Sequence, residues 1–356
     1  MKVPLNLIRW VSNAAVAAGV TAPIGIAAQE LSWQDYLLLQ RTKVERAYRE
    51  VEAALSEKSL NSKWYKSLTI KVEAPGRGAC SISGNPGAAD LERFEITICP
   101  VPNIIISQAA TTGLLVQFDM LSKRRKSLAE NPNLYDSKLA QEFGEKAALT
   151  LDYYFHEARH QHRSYQNADI GYRNCPPATV AKMLVGDGPY QLCGSDESTE
   201  RDIQWANSLL RSFAGPEINI SYDQVLGRAE HEIYLWSVSH EVAHFVVHYD
   251  HGRSSAPEND TSLIDLEVEV DKVGNSLLER DGELRFPLLH PGILWTRNTI
   301  SGGIDDSELG KHGAARLGAA VLNSICDPRA AQLFAYAPHL MKLMPLEKIR
   351  RNCTSR

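Results

Sequence analysis

Residues four apart in a helix share one face, about 6 Å apart along the axis, so two histidines so placed can turn both imidazoles onto one ion. The chain offers this spacing twice, each time with a glutamate directly after the first histidine. The two segments are His240-Glu241-Val242-Ala243-His244 and His156-Glu157-Ala158-Arg159-His160. His-Glu-x-x-His is a zinc pattern: the imidazoles hold the metal, and the glutamate can act as general base on a water bound there. Around the first segment Val238, Val242, Ala243, Phe245, Val246 and Val247 are uncharged, as a helix running through a core requires. The second segment places Arg159 between its histidines, a full positive charge that opposes a cation unless an acid pairs with it. His156, Glu157 and His160 therefore stand as an alternative metal site.

A catalytic zinc site needs a third protein ligand and one open position. Downstream, Leu263-Ile264-Asp265-Leu266-Glu267-Val268-Glu269-Val270-Asp271 reads as another helix, with Glu267 and Asp271 four apart on one face and Glu269 turned away. Here the sequence resembles the gluzincins, the thermolysin-like and prenyl-protease-like zinc metallopeptidases. The resemblance implies Glu267 as third ligand and Asp271 as the hydrogen-bond partner of a ligand histidine, His240. His290-Pro291 followed by Arg297 is similar to the His-Pro…Arg segment of prenyl-protease-like enzymes, with the arginine one residue further on. By that likeness His290 or Arg297 would stabilise an oxyanion during catalysis. The resemblance runs from Ser221 to Arg297 and implies a zincin-like catalytic region holding one Zn2+ and acting on a peptide or protein substrate.

Other assignments stay open. His248 extends the four-residue series but lies about 12 Å along the axis from His240, too far to share its ion. Asp250 could replace Glu267 as third ligand, and His312 is a further candidate for the site. A different class of protein is also compatible: a carboxylate-bridged di-iron bundle uses two Glu-x-x-His motifs and one Glu from each of two further helices. Glu157 with His160 and Glu241 with His244 would supply the pair, and Glu142 or Glu145 with Glu197 or Glu200 the rest. A catalytically inactive module keeping its zinc is the third possibility.

The elements that must position these residues are mostly helical. An apolar stripe of Trp33, Tyr36, Leu37, Val44, Ala47, Tyr48, Val51 and Leu55 predicts a helix over 31–60. Segments 68–72 and 94–98 read as strands, separated by a Gly/Pro-rich loop from Pro75 to Ala88. Beyond Pro102, helical patterns cover 104–128, 137–165, 198–213, 221–249, 263–280, 307–326 and 328–344. A break at 167–195, rich in Gly and Pro, reads as a long loop or a boundary between lobes. The expectation is an α+β fold, predominantly α-helical, with a small β section near the N-terminus. Its expected organisation is an N-terminal helical and β region over 29–195 and a zincin-like region over 196–356.

At the N-terminus Lys2 and Arg9 precede an apolar, Ala-rich stretch ending in Gly25-Ile26-Ala27-Ala28, the order of a secretory signal over 1–28. Export to a periplasmic or extracellular space follows, with no stable membrane span once the signal is removed. Six cysteines in an exported chain suggest disulfides, and short loops favour Cys80–Cys99, Cys175–Cys193 and Cys326–Cys353. A net charge of −5 excludes the basic footprint of a nucleic-acid binder, and Lys123-Arg124-Arg125-Lys126 reads as a solvated helix face.

Overall fold

The computed structural model describes residues 33–57, 63–73, 80, 86–130, 142, 146, 175–186, 196–214, 220–252 and 260–278. Helix α1 spans Trp33–Glu57 and is followed by a 3-10 turn, Lys63–Ser67. Three strands come next, β1 (Thr69–Val72), β2 (Gly87–Asp90) and β3 (Glu95–Ile98), and then the long helix α2 (Pro100–Glu130). The remaining described helices are α3 (Pro177–Val185), α4 (Asp196–Ala214), α5 (Tyr222–Phe245) and α6 (Asp260–Leu277); α5 runs on into a π-helical turn, Val246–Asp250. The architecture is α+β and predominantly α, with a small three-stranded sheet near the N-terminus. No helix among the described residues is long and apolar enough to cross a membrane.

Two compact units interleave along the chain. One joins Gln34–Ile106 to the described residues from His231 onward, and the other holds Ser107–Glu230. The division is thus not a single cut in the sequence.

In the first unit the sheet order is β1-β3-β2, with β1 parallel and β2 antiparallel to β3. Ile96 and Ile98 of β3 are fully buried, and they pack in one cluster with Val44, Val51 and Leu55 of α1 and Leu235, Val238 and Val242 of α5. Each such side chain contributes about 1.5–3 kcal/mol relative to exposure. Helix α5 is buried almost all round from Ile233 to Val247, which explains the uncharged run flanking its histidines. Polar links join α1 to the same helix: the Tyr234 hydroxyl donates to Gln40 at 2.9 Å, and His231 Nε2 lies 2.9 Å from Glu50.

Strand β2 begins inside the segment that the sequence reads as loop. Gly87-Ala88-Ala89-Asp90 has neither β-branched residues nor alternation, so its strand character comes from pairing with β3. The β2–β3 turn ends at Phe94, held at φ 51°, a left-handed conformation unusual for a bulky residue. Its ring stacks on Tyr249 at 5.3 Å and on Phe245 at 6.3 Å, and the Tyr249 hydroxyl donates to the Leu91 carbonyl at 2.9 Å. The turn is thereby fastened to the C-terminal end of α5.

The second unit contains α3, which falls within the 167–195 break that the sequence reads as a long loop or a boundary between lobes. Pro177 opens this helix, where a missing N–H costs nothing, and Pro177 to Ala181 and Leu184 are buried. At the start of α5, Ser221 Oγ accepts the Gln224 N–H and Gln224 Oε1 accepts the Ser221 N–H, a reciprocal capping box.

The structure contains the expected Cys80–Cys99 disulfide, and Cys175 is also disulfide-bonded. The signal segment and the 326–353 cysteine pair lie outside the described residues.

Candidate metal centre

Helix α5 presents His240 and His244 one turn apart, and α6 presents Glu267 opposite them. The two helices approach closely because position 274 is glycine. A Cβ there would stand 3.2 Å from the Ser239 carbonyl oxygen and 3.3 Å from the His240 Cα. The Ser239 hydroxyl donates to the Gly274 carbonyl across the same contact, and Val270 packs beside it with Ala243 and Val247. Gly274 lies two turns beyond Glu267, so the contact fixes the height of that carboxylate against the histidines.

One Glu267 oxygen lies 3.5 Å from His240 Nε2 and the other 3.7 Å from His244 Nε2. The three ligand atoms all fall within 4.8 Å of one another. Two imidazole nitrogens and one carboxylate oxygen are donors that suit a divalent metal ion chemically. The group could hold a metal ion.

Asp271, one turn after Glu267, is buried and places Oδ1 3.0 Å from His240 Nδ1. With the proton on Nδ1 directed at Asp271, the Nε2 lone pair faces Glu267. Trp236 stacks on the His240 ring at 5.4 Å and so helps to fix its plane. His240 is buried, while His244 and Glu267 are partly exposed.

Glu241 is buried and does not join the three-ligand group; it turns toward β2. A Cβ at Gly87 would stand 2.8 Å from Glu241 Cγ and 2.9 Å from Oε1, so the carboxylate lies against bare strand backbone. The Cys99 N–H donates to the Pro86 carbonyl, which makes residues 86 and 99 a hydrogen-bonded pair. Alternation then turns the N–H and C=O groups of Gly87 and Ala89 away from β3, toward the edge of the sheet. Among the described residues β2 is therefore an edge strand, and it runs beside the general-base candidate.

Other acids and histidines singled out from the sequence are placed elsewhere. The Asp250 carboxylate receives the Trp64 indole N–H at 3.4 Å, His248 packs on the Tyr249 ring, and Glu269 lies 3.1 Å from His251 Nδ1. His290, Arg297, His312, His156, Glu157 and His160 lie outside the described residues. Sequence reasoning missed Gly87 and Gly274. Neither glycine belongs to a motif, and their signal is only that a residue without a side chain permits close approach. No protein-family model, no curated protein and no solved structure matches the chain.

Proposed function

We propose that the chain is a zinc-dependent hydrolase, a peptidase exported to the periplasm or the extracellular space. The observation that carries this reading is the convergence of His240, His244 and Glu267 beside a buried Glu241 that is not one of the three. Three protein ligands leave a position open, which distinguishes a catalytic site from a closed structural one. When bound, the ion supplies Lewis-acid polarisation of a carbonyl and acidification of a water. His240, oriented by Asp271, and His244 hold it with Glu267. Glu241 accepts a proton from the attacking water and returns it to the leaving amine. The edge of β2 supports a peptide as substrate: the outward backbone groups of Gly87 and Ala89 can pair with an extended chain and lay it beside Glu241. The Cys80–Cys99 disulfide supports an oxidising compartment.

A di-iron centre would need Glu241 as a ligand, whereas Glu241 lies against Gly87 and Glu267 faces the histidines. The test is metal analysis of purified protein, followed by cleavage of an unbiased peptide library with and without chelator. We expect one zinc per chain and chelator-sensitive cleavage. Glu241→Gln should keep the zinc and lose nearly all hydrolysis, while His244→Ala loses both. Full activity in Glu241→Gln would end this mechanism.

A further inference from the structure

Asn103, in the first turn of α2, is 1% exposed and uses its side-chain amide in three directions. Its Nδ2 donates to the Pro86 carbonyl at 2.9 Å and to the Cys99 carbonyl at 2.8 Å, while its Oδ1 accepts the Ser237 hydroxyl at 2.6 Å. Each partner is set in the architecture described above. Pro86 is the residue before Gly87, whose backbone faces Glu241. Cys99 ends β3 and is bonded to Cys80. Ser237 stands one helical turn before Glu241 on α5.

We propose that Asn103 is a positioning residue: it fixes the height of strand β2 over the Glu241 carboxylate by tying the carbonyl just before the strand to the helix that carries Glu241. Only an amide suits the place. Two carbonyls need donors and one hydroxyl needs an acceptor, and a carboxylate or hydroxyl cannot supply that set. The Pro86 carbonyl also accepts the Cys99 N–H, so the strand start is held by both its lone pairs. A tie of this kind matters where a backbone and a carboxylate lie as close as Gly87 and Glu241. Losing it lets β2 ride away from α5, and a substrate paired to β2 moves with the strand while the base stays behind. The consequence for catalysis rests on the peptidase reading; the mechanical role does not.

The experiment uses the full chain loaded with zinc and the variants Asn103→Ala, Ser237→Ala and Ser237→Thr. Three quantities are read: zinc affinity by competition with a chromogenic chelator, amide hydrogen exchange of a peptide covering 86–90, and kcat and KM on a peptide that the wild type cleaves. Asn103→Ala should exchange faster at 86–90 by about tenfold, bind zinc within about threefold of wild type, and lose about tenfold in kcat with little change in KM. Ser237→Ala should show a smaller loss, and Ser237→Thr, which keeps the hydroxyl, should restore it. If Asn103→Ala does not fold, the Ser237 pair carries the same comparison. Unchanged exchange at 86–90 overturns the tie. Faster exchange with unchanged kcat, or failure of Ser237→Thr to restore what Ser237→Ala loses, overturns the positioning role. If the wild type binds zinc but cleaves no peptide, the peptidase reading falls alone, and exchange at 86–90 decides whether Asn103 holds the strand.

Discussion

Adding one methyl group at position 87 tests the placement of the general base without touching a ligand. Gly87 sits in an extended strand with no positive φ, so alanine fits the backbone and the β2–β3 ladder keeps its hydrogen bonds. The new Cβ would stand 2.8 Å from Glu241 Cγ, where ordinary contact begins at 3.4 Å, so Glu241 must withdraw by about 0.6 Å. The nearest atom is the inner Cγ rather than the flexible tip, so rotating the carboxylate alone does not clear the clash. A 1 Å error in a reacting group costs about a hundredfold, so about 0.6 Å costs about tenfold in turnover, or about 1.4 kcal/mol. Gly87→Ala should therefore keep its zinc and its fold while kcat/KM falls about tenfold on the same peptide. The loss should vanish on a Glu241→Gln background, because the methyl group then displaces a side chain that no longer acts as a base. Wild-type turnover in zinc-loaded Gly87→Ala would refute the argument. So would an equal loss on the Glu241→Gln background.

Two further outcomes follow from the same geometry. Asp271→Asn should weaken zinc binding about 10- to 100-fold in chelator competition, because an amide orients the His240 ring less strongly than a carboxylate. Wild-type affinity would show that the 3.0 Å contact does not set the ring. Joint replacement of Cys80 and Cys99 by serine should lower stability by about 3 kcal/mol, read from the urea midpoint, since the bridge closes a loop of sequence separation 19.

Much of the metal group could be read from the sequence because helical periodicity is local. Spacings of four place His240 with His244, and Glu267 with Asp271, whatever the rest of the chain does. The apolar stripe over Val44, Ala47, Val51 and Leu55 likewise marks the buried face of α1. Strands β1 and β3 were legible because their β-branched residues favour a pleated surface, while β2, with none, was not.

Tertiary structure alone decided that the two acidic and imidazole faces meet. Their meeting depends on Gly274 admitting the backbone of α5, a contact between residues 35 apart in sequence at the Ser239 hydrogen bond. It also decided that Gly87 underlies Glu241 and that Asn103 ties Pro86 to Ser237, the Asn103–Ser237 hydrogen bond alone joining residues 134 apart. The physical reason is range. A helix face is set by dihedral angles within one turn and leaves a period in the sequence, whereas a close approach between distant segments needs only one small or polar residue, and a single residue has no period.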